Sequence, residues 1–209
     1  MIKVIIFDYD GVIVDSFGSV FESYKVICNR FNVCCPDSIE DFRKMYGYSY
    51  IDCYKNLGIK EENFGEAYDI FQTEIIKREH GIFPEILEVI QKLSKTYKLF
   101  LVTASHSNEV LPKLKKFNLT DYFEKIYCGA DDRIRKSDLF NELLSVNNYS
   151  TSEIISIGDR AIDYDVAKKV GISDDNIILV TYGWGLDKSR IGKVNIAESP
   201  IDILNFLNK

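Results

Sequence analysis

Short apolar runs in this chain stop at residues that carry chemistry, and helical spacing fills the stretches between them. Val4-Ile5-Ile6-Phe7 leads into Asp8-Tyr9-Asp10-Gly11, Leu99-Phe100-Leu101-Val102 into Thr103-Ala104-Ser105, and Ile154-Ile155-Ser156-Ile157 into Gly158-Asp159. Brief β-branched or aromatic runs without polar alternation suit a parallel sheet covered on both faces. Lys3 to Asp8, Lys98 to Ala104, Ile154 to Gly158 and Ile177 to Thr181 are read as such strands, with Lys125 to Cys128 a weaker fifth. Ile86, Ile90 and Leu93 make one helical stripe, and Val110, Leu114 and Phe117 another. Leu139, Phe140, Leu143 and Leu144 make a third, just after Lys136. Strand and helix in alternation predict an α/β fold with a doubly wound, mostly parallel sheet. Such sheets bind ligands at the carboxyl ends of their strands, so the acids and hydroxyls would meet along one edge.

From about Ser16 to His80 helical stretches follow one another with no convincing strand. Val20, Tyr24, Ile27 and Phe31 share one helix face, and Phe64, Tyr68, Phe71 and Ile75 repeat the spacing. This predicts a small α-helical domain, residues 16–80, inserted into a core domain of residues 1–15 and 81–209. The joins, Asp15 to Gly18 and His80 to Pro84, are candidate hinges.

A chain of 209 residues with 46% hydrophobic content can bury a sizeable core. The formal charge of -6, with no long Lys/Arg run, argues against nucleic acid or an anionic membrane as a partner and leaves small ligands. Val4 to Phe7 is too short for a signal-peptide core and no stretch reaches membrane-span length, so a cytoplasmic location is expected. The five cysteines, Cys28, Cys34, Cys35, Cys53 and Cys128, make an odd count without a C-x-x-C pair. They are expected to be reduced structural thiols. Oligomeric state is not legible.

The pair Asp8 and Asp10 is the layout of a phosphoryl-transfer site, where one carboxylate attacks phosphorus and the other moves protons. Gly11 permits the unusual backbone geometry such a turn needs. Together the strand-end residues resemble the four motifs of the haloacid dehalogenase (HAD) superfamily of phosphatases. Asp8-Tyr9-Asp10-Gly11-Val12 resembles its first motif, Thr103 its second, Lys136 its third, and Gly158-Asp159 with Asp163 its GDxxxD fourth. The match runs from Lys3 to about Gly185 and implies a HAD-like Rossmannoid core. Residues 16–80 fall where that family carries its helical C1 cap. The short stretch 104–135, which must hold a helix and a strand, excludes the alternative cap position.

The resemblance implies that Asp8 is the nucleophile and forms an aspartyl-phosphate, while Asp10 protonates the leaving oxygen and later activates water. It implies Mg²⁺ held by the Asp8 and Asp159 side chains and the Asp10 carbonyl. Asp163 is either a further ligand, a residue that orients water or Lys136, or a first-turn helix acid favoured by the dipole. Four acids around a phosphate dianion would repel it, and a hard cation that prefers oxygen resolves the conflict. Thr103 and the amides of Ala104 and Ser105 are expected to bind the phosphoryl group, the amides lying where a strand-to-helix turn points donors at an anion. Lys136 is expected to steady Asp8 and the phosphate. Here the chain departs from the family, because Ser137 replaces the usual proline and Arg133 and Arg135 stand close enough to compete. Ser137 or Asp138 can cap the following helix.

Tyr46, Tyr48, Tyr50 and Tyr54, with Gly47 and Arg43, form either an aromatic lip that grips a leaving group or the interior of the cap. Gly183-Trp184-Gly185 is placed at the border of the site, and His106 has no assigned role. The expected activity is Mg²⁺-dependent hydrolysis of a small phosphorylated metabolite in the manner of phosphoglycolate phosphatase-like enzymes. The nearest rival is a phosphomutase resembling β-phosphoglucomutase. Asp10 counts against a dehalogenase, and the complete set Asp8, Asp10, Thr103, Lys136 and Asp159 counts against a non-catalytic binding protein.

Overall fold

The computed structural model describes residues 1–129 and 135–207. In chain order it contains β1 (Val4–Phe7), α1 (Phe17–Phe31), α2 (Ile39–Tyr46), α3 (Tyr50–Asn56), α4 (Phe64–Lys77), α5 (Ile86–Leu93), β2 (Lys98–His106) and α6 (Ser107–Lys116). There follow β3 (Phe123–Gly129), α7 (Lys136–Asn147), β4 (Ile154–Gly158), α8 (Ala161–Lys169), β5 (Ile177–Val180), β6 (Asn195–Ala197) and α9 (Asp202–Leu207). The chain divides into two compact units, one of Met1–Asp15 with Gly81–Lys209 and the other of Ser16–His80.

In the first unit the strands lie in the order β3-β2-β1-β4-β5-β6, every neighbouring pair parallel. Pleating sends alternate side chains to opposite layers. Ile5 and Phe7 therefore pack with Ile86 and Ile90 of α5, Val110 and Leu114 of α6 and Ile203 of α9. Val4 and Ile6 pack on the other side with Leu139, Phe140 and Leu143 of α7 and Ala167 of α8. Each such side chain contributes about 1.5–3 kcal/mol relative to exposure, which makes the sheet a rigid base for what projects from its end.

The strand order reverses between β1 and β4, the kind of switch point where open α/β sheets form a crevice. Phe7 lies level with Leu101 of β2 and Ile157 of β4. Asp8 and the Gly158-Asp159 pair thus leave the sheet side by side, with Thr103 one strand over.

The strand limits differ from the sequence reading in instructive ways. The weak strand expected at Lys125 starts at Phe123. β6 was missed because it is a three-residue edge strand whose Asn195 and Ile196 stay half-buried, leaving no apolar run to read. β2 does not turn after Ala104 but continues to His106 through a register shift. Thr103 pairs with Cys128 and His106 with Gly129, so Ala104 and Ser105 are extra residues pushed out of the ladder. Bulges of this kind re-aim side chains at sheet ends.

The second unit is helical. Its α2 and α3 start at Ser38 and Ser49, whose hydroxyls accept the Asp41 and Asp52 amides as helix caps. Phe42 is fully buried, its ring 5.0 Å from Phe21, 5.1 Å from Tyr24, 5.5 Å from Phe17 and 5.6 Å from Tyr46. Tyr46 and Tyr54 belong to this aromatic interior, whereas Tyr48 and Tyr50 are half-buried. Of the two expected joins, the first overlaps α1, which begins at Phe17.

The segments that leave and re-enter the first unit run side by side. The Asp15 amide donates to the Gly81 carbonyl at 3.0 Å, the Phe83 amide to the Ile13 carbonyl at 3.0 Å, and Val14 bridges Ile82. Among the described residues no helix is long and apolar enough to cross a membrane.

Candidate active site

Asp8 is the first residue past β1, and its amide donates to the Ile157 carbonyl at 2.9 Å, which fixes the backbone where the strand ends. Its Oδ1 accepts both the Tyr9 amide and the Lys136 ammonium at 2.8 Å. Oδ2 accepts no hydrogen bond from the described residues. Lys136, the first residue of α7, also reaches Asp163 Oδ1 at 2.6 Å. Asp163 Oδ2 accepts the amides of Asp159 at 3.1 Å and Arg160 at 3.0 Å. Asp163 therefore combines two of the uses weighed from sequence: it closes the first turn of α8 and holds Lys136 in place. Asp159 is almost wholly buried, and its Oδ2 accepts the Trp184 amide at 2.6 Å. Oxygens of Asp8, Asp159 and Asp163 lie within 4.8 Å of one another.

The electrostatics follow from burial. Burial pushes the Asp8 carboxyl up to about 7, aided by Asp163 and Asp10, although Lys136 pulls the other way. Burial, with Asp163 and Asp8 adding to it, also holds Asp159 well above the ordinary carboxylate range, while Arg160 and the Trp184 amide oppose the shift. Burial works to lower the Lys136 pKa, but Asp163 and Asp8 outweigh it and keep the ammonium charged. One lysine thus faces three crowded acids, of which burial holds Asp8 and Asp159 above the ordinary carboxylate range. An all-oxygen donor set so short of positive charge fits a hard divalent cation.

Two glycines make the crowding possible. Gly11 has φ +75°, and a Cβ there would run into the Asp159 carboxylate. A Cβ at Gly183 would run into the Gly11 carbonyl and the same carboxylate. Any larger residue at either position would push the β1 and β5 loops away from Asp159.

The bulged end of β2 supplies a second wall. Ser105 Oγ donates to Asp10 Oδ2 at 2.5 Å, and the Ser105 amide donates to Thr103 Oγ1 at 3.0 Å. Ala104 is exposed on the bulge, and Thr103 is buried. The Ser105 amide is engaged with Thr103, and the Ser105 hydroxyl is the group that reaches another site residue. His106 caps α6, its Nδ1 accepting the Asn108 amide at 3.2 Å. Arg135 is exposed, whereas Lys136 is on Asp8, and Arg133 lies outside the described residues. Asp138, not the buried Ser137, caps α7, its Oδ2 accepting the Arg135 amide at 3.1 Å. The Gly183-Trp184-Gly185 loop, placed at the border of the site from sequence, reaches it through the Trp184 amide on Asp159. The glycine before it lets the backbone approach that carboxylate closely.

Residues 5–174 match the profile of the haloacid dehalogenase-like hydrolases. The chain belongs to this family. Among relatives of this HAD-like hydrolase, a phosphorylated carbohydrates phosphatase of Thermotoga maritima is 26% identical over 220 residues, covering 99% of each chain. A phosphoglycolate phosphatase of Agrobacterium fabrum is 26% identical over 192 residues, covering 86% of this chain and 80% of the other. The fold is shared with a haloacid dehalogenase-like family hydrolase of Streptococcus pneumoniae, with a TM-score of 0.86 at 22% identity and 99% of each chain covered.

Proposed function

We propose that the chain is a Mg²⁺-dependent phosphatase that hydrolyses a small phosphomonoester through an aspartyl-phosphate on Asp8. The observation that carries this reading is the Asp8 carboxylate itself. Its Oδ1 is anchored by an amide and an ammonium while Oδ2 takes no hydrogen bond from the described residues, which suits a positioned nucleophile. The two relatives with phosphatase names and family membership support the substrate class.

Asp8, Asp159 and the Asp10 carbonyl would hold Mg²⁺, and Asp163 would keep Lys136 oriented beside them. When bound, the cation neutralises the acid cluster and the phosphoryl oxygens and stabilises charge in the transition state. Asp8 attacks phosphorus, so that an Asp8 oxygen–phosphorus bond forms as the bond to the leaving oxygen breaks. Asp10 gives that oxygen its proton and then takes one from water. The water attacks phosphorus, the bond to Asp8 breaks, and inorganic phosphate leaves with Asp8 regenerated. Lys136 and the Thr103 hydroxyl, with Ala104 and Ser105 of the β2 bulge, hold phosphoryl oxygens and offset developing charge. Residues 16–80 act as a cap that excludes water and sets specificity. A cytoplasmic setting suits the five free cysteines.

The test is phosphate release from a panel of phosphomonoesters with and without Mg²⁺. Turnover of at least one compound is expected, abolished by chelator and by Asp8→Asn. Equal activity in Asp8→Asn, or sugar-phosphate isomerisation without phosphate release, would overturn the reading.

A further inference from the structure

Between the two acids of the first loop, Tyr9 points away from the site and is fully buried. Its hydroxyl donates to Glu109 Oε1 at 3.2 Å, and the same oxygen takes the Lys113 ammonium at 2.8 Å. Glu109 and Lys113 lie one turn apart on α6 and are 3% and 8% exposed. A buried ion pair gains little stability over apolar side chains of similar volume, because desolvation consumes most of the attraction. What it does supply is a fixed point, since its geometry admits few alternatives once each partner is satisfied.

That fixed point ties together two segments. Tyr9 is bonded into the loop carrying Asp8 and Asp10, and α6 starts directly after the β2 bulge carrying Thr103, Ala104 and Ser105. On the opposite side the Ser105 hydroxyl meets Asp10 at 2.5 Å. The loop is thus held to the β2–α6 segment from the core side by Tyr9–Glu109 and from the site side by Asp10–Ser105. We propose that Tyr9, Glu109 and Lys113 form a positioning relay that sets the spacing of Asp8 and Asp10 from the phosphate-holding residues at the end of β2. Tyr9 and Glu109 are then positioning residues, which touch no reacting atom. The catalytic part of this inference rests on the phosphatase reading above.

The experiment compares wild type, Tyr9→Phe, Glu109→Gln and Glu109→Ala, with Asp8→Asn as the inactive control. Tyr9→Phe removes one hydroxyl and leaves the Glu109–Lys113 pair intact. It is expected to lower kcat about 10- to 100-fold, the scale of a small misplacement of reacting groups, with KM within about threefold. Amide hydrogen exchange is expected to quicken in Asp8–Val14 and Thr103–Asn108 while the other strands keep their protection. Glu109→Gln keeps an acceptor for the phenol, so it should retain more kcat than Glu109→Ala. Unchanged exchange in both segments, or an unchanged kcat in an active enzyme, overturns the relay. If wild type hydrolyses no phosphomonoester, the phosphatase reading fails, and exchange alone decides whether the tie exists.

Discussion

Replacing Lys136 by Met keeps an unbranched side chain one atom shorter and removes the positive charge that faces Asp8 at 2.8 Å and Asp163 at 2.6 Å. Both acids are largely buried, so they would be left with uncompensated charge. Removing one partner of a buried pair costs about 3–5 kcal/mol. For a chain of 209 residues each kcal/mol moves the midpoint by about 2–4 °C, so Tm at pH 8 in chelator should fall by roughly 6–20 °C. Trp184 is the only tryptophan and belongs to the first unit, so its fluorescence reports the unfolding of that unit. At pH 5 the Asp8 carboxyl, pushed up to about 7 by burial, is already neutral. The part of the loss that comes from Asp8 is then absent, and the fall in Tm should be smaller than at pH 8. Saturating Mg²⁺ at pH 8 should recover part of it. A fall under about 2 °C at pH 8, or the same fall at both pH values, would show that the lysine does not balance these acids and would refute the reasoning.

Three further outcomes are expected. The folded pKa of Asp8 lies above its ordinary value of 3.8, so the stability carried by the protonated form is fully present below about pH 4 and is lost as pH rises through about 7. In chelator this amounts to roughly 4 kcal/mol at 1.36 kcal/mol per unit, and Asp8→Asn should flatten that slope and be more stable than wild type at pH 8, as urea titrations across this range would show. Mg²⁺ at about ten times its dissociation constant should stabilise wild type by about 1.4 kcal/mol at pH 8 and less at pH 5, where protons compete for Asp8; a thermal-shift series reads this directly. Gly11→Ala would drive a Cβ into the Asp159 carboxylate at φ +75°, so about 2 kcal/mol of stability and most Mg²⁺-dependent activity should be lost, measured by urea midpoint and phosphate release.

The fold was legible because its central strands are buried on both faces, which leaves apolar runs such as Val4–Phe7 and Ile177–Val180 with no polar interruption. β6 has no such run, and the bulge at Ala104 and Ser105 leaves no trace in composition, because it depends on how β2 pairs with β3. The residues at the site were legible for a topological reason. Parallel strands end on one edge, so a list of strand-end acids and hydroxyls is already a list of neighbours. The contacts among them were not. That the Ser105 hydroxyl rests on Asp10, or the Trp184 amide on Asp159, depends on loop conformations set by tertiary packing. Glu109 and Lys113 at i and i+4 would ordinarily be read as an exposed helix pair, and only burial beneath Tyr9 gives them another meaning.

The paired segments Ile13–Asp15 and Gly81–Phe83 have an implication for how such a chain can change. Because the exit and the return lie within one backbone hydrogen bond of each other, the first unit treats everything between them as a long hairpin loop. The entropy of closing a loop grows only slowly with its length, so the insertion can be lengthened, shortened or exchanged at little cost to the sheet. A version in which a tight turn joins Asp15 to Gly81 should still fold. The pairing is a socket, and one insertion can be exchanged for another in it without disturbing the residues at the strand ends.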